Sequence, residues 1–419
     1  MLLSRHRSLI LVSLGALAGC GDNACPGPST DSTCRLTRID GPTPAGELGF
    51  RFGAPLDLDG DGLLDLAAGA RYGGPGGGGE AGVWTLDGEP LAHWEGTYGS
   101  SLFGQVTVPV PDLDGDGRAD VVVAAPLAQV EGGAFGAIAA YSVRDGHLIW
   151  RATTEAKDGL GWHVERAGDH DGDGIEDLWA GATSNPDRGR AYLLSGRDGS
   201  VLRTITSTRS ADRFGFYVVP MGDLDGDGER DVAIGAPGAS INGRIVGAVT
   251  LASAATGAPL RELAGDLPGH LFGEMLAPLD DLDGDGLDDL AIAAPVDAEQ
   301  GAAPGSSEVH IVSSGTGARL RLLAAREPGE LYGRMLATVD DLDGDGLRDL
   351  AIGAPWWNER RGRIEVRSSR TNAVLAELYG EQPGDWLGWH ITRADGPALV
   401  TSLLQFDGER GAIELHAFR

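Results

Sequence analysis

A nine-residue acidic pattern, D-x-D-G-D-G-x-x-D, recurs six times and constrains the fold of this chain more than any other feature. Successive copies lie 54 to 60 residues apart and begin at Asp57, Asp112, Asp169, Asp223, Asp281 and Asp341. Six matches at so regular a spacing indicate a repeat architecture in which each copy belongs to one supersecondary unit. Such units bury their apolar faces by packing against their neighbours along the chain.

Two further signals keep a constant position relative to each acidic loop. A Gly preceded by a large apolar residue lies eight residues before the opening Asp, as at Phe214-Gly215. An apolar run follows each loop, and in two copies it ends at Gly-Ala-Pro, as at Gly235 to Pro237. A second apolar segment, a tight turn such as Asp145-Gly146 and a further β-like run complete the unit. Four short antiparallel strands in every fifty-odd residues are typical of a propeller blade.

A seventh unit is degraded. Leu387 to His390 repeats the pattern of Leu160 to His163, but the following loop, Ala394 to Pro397, has lost the carboxylates. Three strands are visible in this unit, and Arg35 to Ile39 precedes the first unit as a fourth strand would. We therefore predict an all-β fold over residues 34–419, a seven-bladed β-propeller of four-stranded antiparallel blades whose N-terminal strand completes the last blade.

The acidic loops have the composition of calcium sites. Ca²⁺ takes six to eight oxygen ligands, and alternate aspartates deliver several of them from one short loop. In each copy the first, third, fifth and ninth residues would supply carboxylates and the seventh its backbone carbonyl. The predicted ligands of about six Ca²⁺ ions are Asp57, Asp59, Asp61, Leu63, Asp65, Asp112, Asp114, Asp116, Arg118, Asp120, Asp169, Asp171, Asp173, Ile175, Asp177, Asp223, Asp225, Asp227, Glu229, Asp231, Asp281, Asp283, Asp285, Leu287, Asp289, Asp341, Asp343, Asp345, Leu347 and Asp349.

These loops have two other interpretations. An EF-hand needs a bidentate Glu at loop position twelve, where this chain has apolar residues such as Ala68 and Ile352. Asp-Gly turns without metal are the remaining alternative. Six ions would offset 12 units of the formal net charge of −29, and this negative charge argues against nucleic acid as a partner.

The N-terminus reads as an export signal. Arg5 and Arg7 precede the apolar run Leu9 to Ala18, which is too short for a permanent membrane span. The end of this segment, Leu17 to Cys20, resembles a bacterial lipobox, and a chance Cys beside a secretory cleavage site is the alternative. The resemblance implies a signal peptide over residues 1–19, acylation of Cys20 and a flexible lipidated tether over residues 20–33.

The lipobox resemblance also implies a location. Gly21, where an Asp would favour retention at the inner membrane, points to an outer-membrane lipoprotein of a bacterial cell envelope. Membrane contact would then be made through the lipid anchor. The other two cysteines, Cys25 and Cys34, lie in and beside the tether, and an oxidising envelope would allow them to form a disulfide.

The repeats resemble the FG-GAP family, whose two signatures stand here at Phe214-Gly215 and at Gly235 to Pro237. The family includes integrin α subunits, bacterial surface proteins and domains attached to enzymes. Resemblance implies calcium loops on one face and ligand contact on the other. The chain departs from integrins in having six acidic loops and in lacking the inserted D-x-S-x-S domain, so adhesion is carried over only as an expectation.

One segment on the expected ligand face has the composition of a binding hot spot. It contains Trp356, Trp357 and Arg360, although tryptophans packed between blades are the alternative. Enzyme signatures such as G-x-S-x-G and H-E-x-x-H are absent from the sequence. We expect a noncatalytic adhesion module for an extracellular or envelope protein or glycan. A hydrolase or lyase working in the central channel, or a scaffold in an envelope assembly, is the alternative.

Overall fold

A computed structural model of the protein describes residues 33–96, 101–129, 135–154, 157–183, 188–296 and 307–418. These residues form an all-β structure with 50% strand and 3% helix. Within the described ranges, no helix is both long and apolar enough to cross a membrane. The predicted signal peptide, Cys20 and Cys25 lie outside the described residues.

The strands follow one another with three short helical turns between them. The turns are Pro75–Gly77, Trp357–Arg360 and Phe406–Glu409. In chain order the strands are β1 Thr33–Asp40, β2 Asp65–Ala70, β3 Glu80–Thr85, β4 Pro90–Glu95, β5 Val106–Val110, β6 Asp120–Gln129, β7 Phe135–Ser142, β8 Leu148–Ala152, β9 Lys157–Gly168, β10 Asp177–Ala182, β11 Arg190–Leu194, β12 Val201–Thr206, β13 Val218–Pro220, β14 Val232–Ala236, β15 Ser240–Ile241, β16 Arg244–Ile245, β17 Ala248–Ala252, β18 Pro259–Ala264, β19 Leu276–Leu279, β20 Asp289–Ala294, β21 Glu308–Val312, β22 Arg319–Ala324, β23 Met335–Val339, β24 Asp349–Ala354, β25 Arg363–Arg367, β26 Val374–Tyr379, β27 Leu387–Ala394, β28 Ala398–Leu403 and β29 Ala412–Phe418.

Antiparallel sheets of consecutive strands follow the repeats. Four-stranded sheets form in the orders β13-β14-β17-β18, β19-β20-β21-β22 and β23-β24-β25-β26. The strands β5 to β8 and β9 to β12 make two similar sets, which a parallel pairing of β7 with β9 joins into one sheet. The small hairpin β15-β16 is an insertion in the fourth unit. These sheets are β-propeller-type in arrangement.

The two termini of the described chain share one sheet, in the order β1-β29-β28-β27. The pairing of β1 with β29 is antiparallel and brings Ile39 opposite Ile413. Arg35 and Arg38 lie 2.7 and 3.2 Å from the carboxylate of Glu414 on β29. Backbone hydrogen bonds and these ion pairs therefore hold the N-terminal strand in the last sheet, as Arg35 to Ile39 was expected to do.

The first unit departs from the prediction of four strands. Its sheet contains β2, β3 and β4, and the segment before them makes only isolated bridges, such as Leu56 with Asp65 and Phe52 with Thr107. This segment hydrogen-bonds to the next unit instead. The N–H of Gly53 donates to the carbonyl oxygen of Thr107 at 2.9 Å, and the N–H of Thr107 donates to that of Arg51 at 3.2 Å.

The two glycine signatures form the contact between consecutive sheets. Gly235, at the end of β14, lies so close to the next unit that a Cβ built there would be 2.0 Å from the carbonyl oxygen of Gly273. Gly353 stands in the same relation to Gly388, at 2.2 Å. Gly273 itself has a positive φ of 88°, a backbone conformation that glycine adopts most readily. The repeated Gly residues are therefore explained by the close approach of one sheet to the next.

Packing between the sheets makes the core. All six residues of β24 are buried, as are all six of β10, because neighbouring sheets cover both faces of these strands. The innermost segments of all seven units, from Arg51 to Ala54 in the first to His390 to Arg393 in the last, line one cavity of about 350 Å³. We call this cavity the channel.

Candidate metal centres and channel site

The six acidic loops share one hydrogen-bond pattern. In the first, the carboxylate of Asp57 accepts from the backbone N–H groups of Gly60 and Gly62 at 2.7 and 2.9 Å. Both glycines have positive φ, near 85°, which lets the loop curl around its opening carboxylate. Corresponding bonds to the opening Asp of the other five loops measure 2.6 to 2.9 Å. Each loop is thus folded around its own aspartates.

The ninth-position aspartates are the buried members of each loop. Asp120 and Asp289 are fully buried, and one oxygen of each carboxylate accepts from the N–H of the second loop residue, at 2.7 and 2.8 Å. Burial, with the neighbouring loop carboxylates, raises the pKa of Asp120 to about 7 and that of Asp289 to about 6. Burial also raises the pKa of Asp65 and Asp349 to about 6. Such carboxylates are poorly stabilised as anions by protein alone.

This arrangement fits a divalent cation. The other carboxylate oxygen, Oδ1, of Asp120 is buried and has no hydrogen-bond partner among the described residues, whereas the matching oxygen of Asp177, Asp231 and Asp349 accepts from a backbone N–H at 3.0 to 3.3 Å. Ligand atoms of three aspartates lie within 4.8 Å of one another in each of five of these loops, for example Asp281, Asp283 and Asp285. A cation beside these atoms would satisfy the unpartnered oxygen of Asp120 and remove the repulsion between the carboxylates.

The predicted ligands therefore lie together in their loops. The seventh-position residues donate their N–H groups to the fifth-position carboxylates, as Leu63 does to Asp61 at 2.7 Å. The degraded loop of the seventh unit is a three-residue connection, Asp395 to Pro397, between β27 and β28. It contains one aspartate, Asp395, whereas each of the other six loops contains at least four.

The proposed ligand-face residues separate into two groups. The guanidinium of Arg360 lies 5.0 Å from the ring centre of Trp356, and Trp356 contacts Trp386 with the ring centres 6.0 Å apart. Trp357 instead packs against Tyr379, with ring centres 5.0 Å apart, and against the core. Trp356 and Arg360 belong to a half-exposed cluster with Trp386, whereas Trp357 packs between strands, as the alternative interpretation has it.

Two histidines at equivalent repeat positions connect neighbouring units in the channel wall. The Nε2 of His390 lies 2.7 Å from the carbonyl oxygen of Phe52, and His163 Nδ1 accepts from the N–H of Val218 at 3.4 Å. Burial lowers the pKa of His390 to about 3 and lowers that of His163 as well. Both imidazoles are therefore neutral at physiological pH.

Charged groups also line the channel, and sequence reasoning did not identify them. Glu165 faces the cavity, and burial raises the pKa of its carboxyl to about 7 despite the opposing charge of Arg166. Arg166 pairs with Glu176 at 2.6 Å. Arg51 is 3% exposed and points across the channel, with its Nη1 3.4 Å from the carbonyl oxygen of Trp162. The sequence offered one signal for these channel groups. Arg51 follows the repeated Gly of its unit, and the matching position recurs in every unit.

Comparison with known proteins identifies five of the seven predicted repeats. The FG-GAP repeat family matches residues 51–86, 103–141, 216–251, 272–311 and 333–366. Integrin alpha-4 of Xenopus laevis is 33% identical over 197 residues, which are 42% of this chain and 18% of that protein. Integrin alpha-V of Gallus gallus is 33% identical over 238 residues, 51% of this chain and 22% of that protein. The chain therefore aligns with about a fifth of the length of these relatives.

Solved structures share the fold across nearly the whole chain. A chain from a crystal structure of BBS1N in complex with ARL6DN has a TM-score of 0.57 at 11% identity, covering 93% of this chain and 98% of that one. A chain from the mitotic checkpoint complex has a TM-score of 0.54 at 13% identity and also covers 93%. At these identities the likeness concerns the fold alone. The repeats and the integrin relatives together identify this chain as carrying an FG-GAP domain of the integrin α type.

Proposed function

We propose that this protein is a calcium-loaded, noncatalytic binding module of a bacterial envelope, in which seven sheets form one closed propeller. The observation that carries the calcium part is the clustering of aspartate oxygens within 4.8 Å of one another in the acidic loops, together with the unpartnered buried oxygen of Asp120. Hard oxygen ligands on a short flexible loop suit Ca²⁺ better than a transition metal. When bound, the ion would supply positive charge that links the loop to the strand behind it.

Ring closure is supported by two contacts between the ends of the chain. The pairing of β1 with β29 completes the last sheet, and His390 of the last unit contacts Phe52 of the first. Seven inner segments around one cavity are the arrangement expected of seven blades. Closure leaves no free edge to fray, which suits a domain displayed outside the cell.

Calcium loading is tested by calorimetric titration of the full chain after dialysis against EGTA. We expect about six ions per chain at affinities near 10⁻⁴ M or tighter. Mg²⁺ at the same concentration should bind much more weakly, because it demands a smaller, more regular oxygen shell. Fewer than four ions, or equal affinity for both metals, would contradict the assignment.

The envelope location rests on the sequence of residues 1–21 and is tested separately. The full chain is expressed in a Gram-negative bacterium beside Cys20→Ser, and the membrane and soluble fractions are compared. Acylation at Cys20 should place the parent in the outer-membrane fraction and the variant in the soluble periplasm. Equal distribution of the two forms would overturn the lipoprotein assignment.

A binding role is supported by the half-exposed cluster of Trp356, Trp386 and Arg360, because Trp and Arg dominate binding hot spots. The partner would be a protein or glycan of the envelope or its surroundings.

The second candidate function is an enzyme. It is favoured by the channel, whose lining includes Glu165, with its raised pKa, together with His163 and Arg51. His163 and His390, however, both form hydrogen-bond contacts with neighbouring units.

A further inference from the structure

A group of arginines meets at the end of the channel marked by Arg51, in a chain whose overall charge is strongly negative. We define this channel mouth by Arg51, Arg71, Arg213 and Arg334, with Glu274 as the carboxylate among them. Arg51 and Arg213 lie over the same ring, that of Phe216, at 5.3 and 4.2 Å from its centre. Arg51 and Arg71 likewise share Phe50, at 6.0 and 3.5 Å. The guanidinium groups of different units therefore converge on one place.

The positive charge of the mouth is not balanced by the protein. Arg71 pairs with Glu47 at 2.7 Å, but Arg51, Arg213 and Arg334 form no ion pair with a described residue. Burial, together with repulsion from Arg334, lowers the pKa of Arg51 to about 10, and burial lowers those of Arg213 and Arg334. Glu274 is the one carboxylate that acts favourably on all three. A bound anion would relieve this excess of charge.

An aromatic strip runs outward from the mouth. We define it by Phe50, Trp389, Trp386 and Trp356, whose successive ring centres lie 5.9, 5.3 and 6.0 Å apart. The three tryptophans are half-buried, so part of each ring faces solvent.

Arginines accompany the strip along its length. Arg334 lies 4.0 Å from the ring centre of Trp389, and Arg360 lies 5.0 and 5.8 Å from those of Trp356 and Trp386. The outer end of the strip, at Trp386 and Arg360, opens on a surface cavity of about 640 Å³. Ring faces and guanidinium groups therefore recur together from the mouth to the surface.

From this pattern we propose that the channel mouth and the aromatic strip bind a linear acidic polysaccharide, a polymer of uronic acid units. The inference rests on the proposed binding function and names its ligand. Each unit of such a polymer offers a flat apolar ring face and one carboxylate, which are the two features that the aromatic strip and its arginines repeat. A guanidinium group that stacks on an aromatic ring can keep its N–H edges free for bidentate contact with a carboxylate.

An acidic peptide is less well matched to this surface. Carboxylates on an extended peptide alternate between two sides and bring no ring to lie on each tryptophan. The chain as a whole has a net charge of −29 before calcium is bound, so its surface outside the mouth and strip would repel any polyanion. Binding should therefore be confined to the mouth and strip, and it should weaken as salt is added.

The test is calorimetric titration of the full, calcium-loaded chain with oligogalacturonate of about eight units, with free calcium equal in cell and syringe. The probe's methyl ester, which has no carboxylate charge, and a glutamate octapeptide are titrated in parallel. We expect oligogalacturonate to bind, its ester to bind at least tenfold more weakly and the peptide not to bind. Variants Arg334→Gln and Arg360→Gln should each weaken oligogalacturonate binding about tenfold or more.

Arg319→Gln is the matched control, because Arg319 is an exposed arginine on β22 that pairs with Asp266 at 2.6 Å and takes no part in the mouth or the strip. It should bind oligogalacturonate as the parent does. Because Arg334 is half-buried, the melting temperature of each variant is measured, and Arg360→Gln, on an exposed side chain, decides the matter if Arg334→Gln unfolds.

Three results overturn the proposal: no binding of oligogalacturonate, binding that neither variant weakens, or stronger binding of the peptide. Peptide binding lost in Arg360→Gln would refute the polysaccharide while keeping a noncatalytic binding role for this face. The release of new reducing ends from bound oligogalacturonate would instead refute the noncatalytic function and leave the ligand class standing. The two failures are thus distinguishable.

Discussion

His390 Nε2 lies 2.7 Å from the carbonyl oxygen of Phe52, across 338 residues of chain. The neutral imidazole donates its proton there and bridges the last unit to the first, while its ring packs on that of Phe52 with centres 4.4 Å apart. His163 contacts the unit that follows it in the opposite sense, because its Nδ1 accepts from the N–H of Val218. Contacts of this kind hold neighbouring inner segments together around the channel.

The bridge leads to a first prediction. His390→Leu keeps an apolar side chain of similar size but leaves the buried Phe52 carbonyl without its donor. We expect the free energy of unfolding to fall by about 1–3 kcal/mol, because an unsatisfied buried acceptor costs that much. Urea unfolding followed by tryptophan fluorescence measures the change. A loss below about 0.5 kcal/mol would show that the bridge contributes little to closure.

Removal of calcium should destabilise the whole domain. At about 1 mM free Ca²⁺ and an affinity of about 10⁻⁴ M, each site adds roughly 1.4 kcal/mol to the free energy of unfolding. Six independent sites would then add roughly 8 kcal/mol, comparable with the stability of an entire domain. Differential scanning calorimetry in excess EGTA should show a sharp fall in Tm. An unchanged melting curve would contradict a structural role for the ions.

Calcium binding by a single acidic loop can be tested with the degraded loop of the seventh unit as the control. Asp120→Asn removes a buried carboxylate charge from the second loop while keeping the size of the side chain. We expect one ion fewer in the calorimetric titration and a calcium-dependent loss of about 1–2 kcal/mol in the free energy of unfolding. Asp395→Asn, in the loop that lacks the other three aspartates, is the control and should alter neither quantity. Equal stoichiometry in the two variants would refute the assignment of Asp120.

The channel predicts a pH effect through Glu165. Its pKa is about 7 in the folded protein and about 4.3 in an unfolded chain, so the folded state holds this proton more tightly. The resulting stability is fully present below about pH 4 and is lost as the pH rises through about 7.

Glu165→Gln cannot lose that proton, so its stability relative to the parent should change with pH. We expect the free energy of unfolding of the variant, relative to that of the parent, to rise by about 1–2 kcal/mol from pH 5 to pH 8. The size of this change allows for the partial exposure of the side chain. Urea unfolding at both pH values, with saturating calcium, measures the difference. A constant difference between the two proteins would show that Glu165 is ionised throughout.

A buried ion-pair group in the sixth unit gives a last prediction. Arg363 is 1% exposed and lies 3.2 and 3.1 Å from the equally buried carboxylates of Glu330 and Glu365. Arg363→Met would leave two buried carboxylates short of a cation, and we expect the free energy of unfolding to fall by about 3–5 kcal/mol. Arg319→Gln, which breaks an exposed pair with Asp266, should cost at most about 1 kcal/mol. Similar losses in the two variants would contradict the difference in burial.

Much of the site chemistry could be predicted from local sequence. The acidic loops lie where the nine-residue pattern places them, because each is closed by hydrogen bonds within its own residues, as between Asp57 and Gly60. The first unit is where local prediction was wrong, since the repeat pattern predicted an inner strand in its own sheet where the chain instead bonds to Thr107 of the next unit. Trp356 and Trp357 show a similar limit. They are adjacent residues of the same type, but Trp356 contacts Trp386 and Trp357 packs against Tyr379.

The sequence by itself determined the repeat, the strands of most units and the aspartates that could hold cations, because these depend on residues within one unit. Only the tertiary structure decided which units meet in the channel and at its mouth. Arg51 lies over Phe216, and Phe50 contacts Trp389, through the stacking of successive sheets and not through any spacing along the chain. The glycine contacts between sheets set that stacking, so side chains hundreds of residues apart share one surface while neighbours in sequence are separated.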